Sequence, residues 1–313
     1  MKINSKLLLI VCLSALCACN NGKASSQNNA VAQDTIKSFT LPPIPQMLTA
    51  PEQRAEFLVK HYWDNVNFAD TNYIHHPDIT EQAWVDYCDI MKHVPLTTAQ
   101  EAIRQMIDKT NVDKKVFAYF TDLADKYFYD PNSPMRNEEY YIPVLEAMIA
   151  SPVLNEAEKI RPEARLKLAH KNRIGTKALD FDYTLASGAQ GSLYKLNADY
   201  ILLFINNPGC HACSEMIAEL KNAAIINKLL QAKKLIVLSV YPDEEIDEWR
   251  KHQDEFAKEW ISGYDKKFTM KEKELYDLKA IPTLYLLAKD KKVILKDATA
   301  QQIEEYLSLN ANN

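Results

Sequence analysis

Residues 198–216 read ADYILLFINNPGCHACSEM. The first nine residues are a largely continuous apolar run, which is typical of a β-strand that is buried on both faces. A helical pattern begins at Cys210, so Cys210 and Cys213 lie where a strand passes into a helix. Such a pair can be a redox centre, half of a metal site, a haem attachment point or an ordinary disulfide. The rest of the chain has to discriminate among these four.

The sequence around this stretch predicts an α/β domain over residues 173–313. Residues 178–196, ALDFDYTLASGAQGSLYKL, alternate between apolar and polar and contain two glycines, which indicates a hairpin. Residues 233–241, KKLIVLSVY, predict a second buried strand, and residues 280–298 predict two strands joined by a turn. The predicted order is hairpin, strand, helix, strand, two helices, two strands and a final helix. Strands that alternate with helices and end in an antiparallel pair indicate a sheet of mixed direction.

The preceding part, residues 46–172, predicts an all-helical domain. Its apolar residues recur at helical spacing between short polar or proline-containing connections. The helical segments are residues 51–66, 79–94, 97–110, 113–130, 138–151 and 155–172.

The N-terminus has the features of an export signal. Lys2 and Lys6 precede an apolar run over residues 7–18, which is too short to span a membrane permanently. The run ends in Leu-Cys-Ala-Cys, which resembles a bacterial lipobox, so residues 1–18 are predicted to be a lipoprotein signal peptide and Cys19 the lipidated residue. The alternative is a plain cleaved signal with Cys19 incidental. Residues 19–45, rich in polar residues and then proline, predict a flexible tether.

Charge and cysteine content narrow the possible functions. The net charge is −5 and there is no block of Lys and Arg, which argues against nucleic acid as a partner. Of six cysteines, only Cys88, Cys210 and Cys213 remain after the predicted processing and acylation. Export would place these thiols where disulfides persist. Cys88 lies at helical spacing with apolar residues, which predicts a buried, inert thiol.

Two motifs together resemble the thioredoxin superfamily, and most closely its periplasmic thiol–disulfide oxidoreductases. The first is NPGCHAC, directly after the strand at 198–206, and the second is AIPTLYLL, whose Pro282 falls where that family keeps a cis-proline. The hairpin ahead of the core is a further feature of the periplasmic branch. The helical half resembles a domain of unknown function that precedes thioredoxin-like domains in envelope lipoproteins of Gram-negative bacteria.

The resemblance implies a role for each cysteine. The helix N-terminus stabilises a thiolate on Cys210, which attacks a disulfide, and Cys213 resolves the mixed disulfide. His211 would tune the Cys210 thiolate. The substrate groove would be bordered by Pro208, Gly209, Ile281 and Pro282.

The resemblance also implies the cofactors, the partners and the location. No small cofactor is required, because the redox-active group is the Cys210–Cys213 pair itself. The partners would be protein thiols and disulfides together with an envelope redox protein, and a lipid anchor would hold the chain at the membrane. The chain would face the periplasm, and Asn20, which is not a retention aspartate, favours the outer membrane.

Three positions depart from the family pattern. Gly209 stands where the family often has an aromatic residue, while Phe204 and Met216 stand where many relatives keep a buried carboxylate beneath the second cysteine. A more open Cys210 and a slower deprotonation of Cys213 are therefore expected.

The sequence argues against three other interpretations of the cysteine pair and leaves a fourth open. Haem attachment requires a histidine after the second cysteine, and Ser214 is there; a zinc site needs four ligands, and there is one cysteine pair. A peroxidatic cysteine in this superfamily has threonine three residues earlier, where this chain has Asn207. A non-catalytic adaptor with a static disulfide stays open as the alternative to an active redox pair.

Overall fold

The computed structural model describes residues 38–311. The predicted signal peptide and Cys19 lie outside the described residues. Residues 38–50 contain no helix or strand, but Phe39 stacks on Tyr62 with the ring centroids 5.0 Å apart. The C-terminal end of the segment predicted as a tether therefore packs against the helical half.

Six α-helices form the N-terminal part of the described residues, in agreement with the sequence prediction. Several of their N-termini are capped by side chains: Asp113 and Asn137 accept hydrogen bonds from backbone N–H groups, and Asn155 forms a capping box with Glu158. The helices are α1 Pro51–His61, α2 Pro77–Met91, α3 Leu96–Lys109, α4 Lys114–Ala124, α5 Glu138–Ala150 and α6 Glu156–Ala169.

An aromatic core holds these helices together. The ring of Trp63 meets those of Tyr87 and Phe120 edge to face, with centroid distances of 5.7 and 5.4 Å. Cys88 of α2 lies in this core and is 2% exposed, so it is buried as the helical spacing predicts. Burial raises the pKa of the Cys88 thiol far above its ordinary value.

The C-terminal half is a mixed sheet with helices, as predicted, and it has seven strands, one more than the sequence indicates. The strand order is β2-β1-β5-β4-β3-β6-β7, and the interior strand β3 pairs parallel with β4 and antiparallel with β6. The strands are β1 Asp182–Leu185, β2 Gln190–Ser192, β3 Tyr200–Ile205, β4 Leu235–Tyr241, β5 Ile261–Tyr264, β6 Thr283–Ala288 and β7 Val293–Lys296. The helices are α7 His211–Asn222, α8 Ala224–Gln231, α9 Ile246–Lys251, α10 Thr269–Glu272 and α11 Ala300–Asn310.

One strand and one helix break were not predicted. The strand β5 is four residues long and contains Gly263, so its sequence carries little strand signal. The predicted helix over residues 210–231 is broken at Ala223, where ψ is 108°, and the new helix start is capped by Glu304, whose carboxylate accepts from the N–H groups of Ile225 and Ile226. Within residues 38–311, no helix is both long and apolar enough to cross a membrane.

Candidate functional site

The two cysteines follow the C-terminal end of the interior strand β3. Strand β3 ends at Ile205, a four-residue turn follows, and Cys210 is the N-cap residue of α7. Cys213 lies one turn into the helix and is 2% exposed, whereas Cys210 is partly exposed. The accessible thiol is therefore that of Cys210, at the helix N-terminus. The sequence predicts the same difference in exposure between the two cysteines.

Both thiols are free, and burial is the main influence on the pKa of the inner one. The pKa of the Cys213 thiol is raised to about 12, mainly by burial; the backbone N–H of Asn207 lowers the pKa and the adjacent Cys210 thiol raises it, each by less than burial does. The N–H of Asn207 points at the Cys213 sulfur at 3.4 Å. At neutral pH the inner sulfur is therefore held as a thiol, shielded from solvent.

No carboxylate occupies the two positions beneath Cys213 that many relatives fill with one. Phe204 is fully buried and its ring lies 6.4 Å from that of Trp260, centroid to centroid. Met216 is half-buried and packs against the same apolar cluster. The buried polar pair nearest in sequence is neutral: Asn206 donates a hydrogen bond of 2.7 Å to the Ser239 hydroxyl.

Gly209 makes the turn before Cys210, and a histidine from a distant segment lies beside it. Gly209 has φ +72°, the left-handed region that favours glycine. A Cβ built on Gly209 would lie 3.9 Å from Nε2 of His252. His252 follows α9, and sequence analysis did not find it because no motif connects it to the cysteines.

The two histidines of the site differ in their surroundings. Nδ1 of His252 lies 2.6 Å from Glu255 and Nε2 lies 3.0 Å from Glu248, and these hydrogen bonds raise the pKa of His252. His211, the histidine that the sequence singles out, is 87% exposed, with Nδ1 3.4 Å from Glu215. The structure thus places a fixed imidazole next to Gly209 and an exposed one between the cysteines.

Pro282 lies beside the cysteine turn. The Ile281–Pro282 peptide bond is cis, the geometry that the resemblance implies. Thr283, the next residue, pairs with Ile205 across the antiparallel β3–β6 ladder. The start of β6 and the end of β3 therefore share one edge of the sheet, which brings Pro282 close to the turn that carries Pro208 and Gly209. Pro282 has no N–H donor, so at this position the backbone edge can accept a hydrogen bond through its carbonyl group but cannot donate one.

Comparisons with known proteins agree with this architecture. The profile of a domain of unknown function (DUF5106) matches residues 17–172. A comparison with curated proteins found no match.

Among solved structures, a thioredoxin-like protein from Bacteroides caccae is 80% identical, with a TM-score of 0.86; the match covers 88% of this chain and 100% of that one. The C-terminal domain of an uncharacterized protein from Bacteroides fragilis is 65% identical over 44% of this chain and 98% of that chain, with a TM-score of 0.43. The identity and the full coverage of the Bacteroides caccae protein show that this chain belongs to the family of thioredoxin-like proteins.

Proposed function

We propose that this protein is a thiol–disulfide oxidoreductase that exchanges disulfides with partner proteins through Cys210 and Cys213. The observation that carries the proposal is the pairing of an accessible thiol at a helix N-terminus with a shielded thiol one turn further in. The N-terminal N–H groups of α7 and its dipole favour negative charge on the outer sulfur. The cis-Pro282 edge beside the pair supports the same function.

The exchange balances in two steps. The Cys210 thiolate attacks one sulfur of a partner disulfide, so that a mixed disulfide forms and the other partner sulfur leaves as a thiolate. Cys213 then loses its proton and attacks the Cys210 sulfur, which releases the second partner thiol and leaves a Cys210–Cys213 disulfide. The partner disulfide gains two electrons and the cysteine pair loses two. A dithiol protein returns the pair to its reduced state, and with an oxidised pair the same steps run in reverse.

The neighbouring residues have supporting roles in this proposal. A partner strand lies along the backbone next to Ile281 and Pro282, and the absence of a side chain at Gly209 leaves room in front of Cys210. His211, at the exposed first turn of α7, adds positive charge near the Cys210 sulfur when it is protonated.

We also propose the location predicted from the sequence: an envelope lipoprotein, anchored through acylated Cys19, that faces the periplasm at the outer membrane. Metabolic labelling with a fatty-acid analogue tests the anchor. Label that persists in a Cys19→Ala variant would contradict it.

A non-catalytic adaptor with a static disulfide is the second candidate. The observation in its favour is the inner thiol, whose raised pKa and burial disfavour the second step of exchange. The reduction potential of the pair separates the two functions. A potential below about −300 mV is characteristic of structural disulfides. Such a potential, together with no reduction of insulin disulfides, would overturn the enzymatic function.

Trapping gives a positive test. In a Cys213→Ala variant the second step cannot occur, so the mixed disulfide between Cys210 and its partner accumulates. Mass spectrometry of the trapped species identifies the partner. A Cys210→Ala variant is the control, because it lacks the attacking sulfur.

A further inference from the structure

The residues around Pro282 are held from both ends by the helical half of the chain. We call residues 277–283 the cis-proline segment. Four residues separate it from the end of α10, and it runs into β6, so its conformation sets the backbone edge next to the cysteines. The contacts at its two ends come from different residues and involve different forces.

At the N-terminal end the contact is a cation stacked on an aromatic ring. Nζ of Lys279 lies 4.2 Å from the centroid of the Tyr129 ring, and the guanidinium of Arg165 lies 4.0 Å from the same centroid. Tyr129 ends a π-helical turn that continues α4, and Arg165 is on α6. Lys279 also pairs with Asp277, whose side chain is 6% exposed. The first half of the segment is thus fixed on a residue of the helical domain.

Just upstream, the junction between the two halves adds hydrogen bonds. The side-chain amide of Asn172 donates to the Leu275 carbonyl at 2.8 Å, and its oxygen accepts from the Leu179 N–H at 2.8 Å. Asn172 is 3% exposed. Through the bond to Leu275, the residues just before the cis-proline segment are attached to the end of the helical domain.

At the C-terminal end the contact consists of two hydrogen bonds that share the carboxylate of Asp297. The hydroxyl of Thr283 donates to Oδ1 of Asp297 at 2.7 Å, and Oδ2 of the same carboxylate accepts from Arg136. Arg136 lies in the loop before α5, so the helical domain reaches the residue after Pro282 through a single carboxylate. The side chains of Arg136 and Asp297 are only 15% and 8% exposed.

Because Arg136 and Asp297 are largely buried, their ion pair holds Thr283 in one position. A bidentate-capable guanidinium positions a carboxylate more narrowly than an ammonium does. Removing one partner of a buried pair leaves an unpaired charge, whereas loss of an exposed pair has little effect. A second buried pair, Lys296 with Glu138, lies immediately beside it, with side chains 5% and 13% exposed. The contact between the two halves is therefore polar and directional at the point where it meets the segment.

We infer that Tyr129 and Arg136 of the helical domain are positioning residues for the cis-proline segment, so that the helical domain completes the groove in which a protein substrate is held. The inference rests on the proposed function only for the groove. The positioning itself is a property of the folded chain and can be measured without any substrate.

The variants are Tyr129→Leu, which removes the ring, and Arg136→Met, which removes the charge. Arg136→Lys retains the charge without the planar fork. Arg104→Met is the matched control, because Arg104 forms an ion pair with Glu146 that is 49% and 34% exposed and lies within the helical half. Thermal unfolding establishes that each variant is folded at the assay temperature.

Hydrogen exchange tests the positioning. We expect amide exchange in residues 277–283 to rise on the order of tenfold in Tyr129→Leu and Arg136→Met, since local opening needs fewer contacts to break. Arg136→Lys should be intermediate and Arg104→Met unchanged. Unchanged exchange in the segment in both test variants, or an equal rise throughout the sheet, would overturn the inference.

Kinetics test the groove. Insulin has to lie along the segment, whereas DTNB, a small aromatic disulfide, can react with Cys210 without it. We expect kcat/KM for insulin to fall on the order of tenfold while the DTNB rate is unchanged, because misplacement of a binding edge affects only substrates that use it. An equal fall in the rates with insulin and with DTNB would contradict a role of the segment in holding a protein substrate. If the parent protein does not reduce insulin at all, the proposed function fails, and hydrogen exchange alone decides the positioning.

Discussion

Replacement of Met216 by glutamate should supply the base that Cys213 lacks. Met216 is three residues after Cys213 on α7, so the two side chains share a face of the helix with Cβ atoms about 5–6 Å apart. Met216 is half-buried, so a glutamate there can reach both the inner thiol and water. Its carboxylate can accept the Cys213 proton as the mixed disulfide is resolved.

The structure sets the size of the effect. The pKa of Cys213 is raised from an ordinary 9.0 to about 12. At neutral pH this lowers its thiolate fraction on the order of a thousandfold. Burial, the largest cause, does not depend on the state of Cys210. A positioned base typically contributes 10²–10⁴-fold, and a partly solvated one less, so we expect resolution to accelerate about ten- to a hundredfold.

The assay separates the two steps. Reduced protein is mixed in a stopped-flow instrument with a self-quenched symmetric disulfide of labelled glutathione. The fast phase, a rise in fluorescence intensity, reports attack by Cys210, which separates the two labels. The slow phase, a fall in fluorescence anisotropy, reports resolution by Cys213, which releases the second label from the protein. In the parent, the slow phase should rise about tenfold per pH unit between about pH 7 and pH 9, since the thiol stays protonated throughout. In Met216→Glu this dependence should flatten and the fast phase should stay unchanged.

Met216→Gln is the matched control, because it has the same size and polarity without a base. If Gln accelerates resolution as much as Glu does, polarity and not proton transfer is responsible. A slow phase in the parent that levels off below about pH 9 would refute the assignment of a buried, high-pKa thiol.

Three further predictions concern the turn before Cys210, the histidine beside that turn, and the edge strand β2. Gly209→Ala should lower the free energy of unfolding by about 1 kcal/mol in a urea titration, because its φ of +72° is left-handed; no change would mean that the turn adopts another conformation. The parent should lose stability relative to His252→Gln as the pH rises from about 6 to about 9: hydrogen bonds raise the pKa of His252 in the folded state, so their contribution is present below its unfolded pKa and is lost as the pH passes its folded pKa. The loss should stay under about 1 kcal/mol because the pairs are near the surface, and parallel stability curves would contradict it. Gly191→Ala should destabilise by about 1–3 kcal/mol, since its Cβ would lie 2.4 Å from the Tyr183 ring; an unchanged thermal midpoint would show that the ring can move.

The sequence predicted the core of the sheet because β3, β4 and β6 are buried apolar runs with strong local signals. It did not predict β5, because Gly263 has no side chain of its own to bury and is covered by Tyr183 from β1; a Cβ at Gly263 would lie 2.9 Å from that ring. The break at Ala223 was missed for a similar reason. Its cap, Glu304, is about eighty residues away and leaves no mark on the local sequence.

The candidate site divides in the same way. The cysteines and Pro282 belong to motifs, so their places in the fold could be predicted. His252 beside Gly209, and Tyr129 and Arg136 beside the cis-proline segment, come together only through tertiary packing. No periodicity or spacing in the chain reports such contacts.

The junction between the two halves has a consequence for the order in which the chain can be assembled. The helical half is made first, yet its partners Lys279, Lys296 and Asp297 lie roughly 150 residues or more further along the chain. While the chain emerges from a ribosome, the helical half can close its own aromatic core but must keep Arg136 and Glu138 hydrated. Docking of the two halves therefore has to wait until β7 and Asp297 have been synthesised, and a chain truncated before β7 would leave Arg136 and Glu138 without their ionic partners.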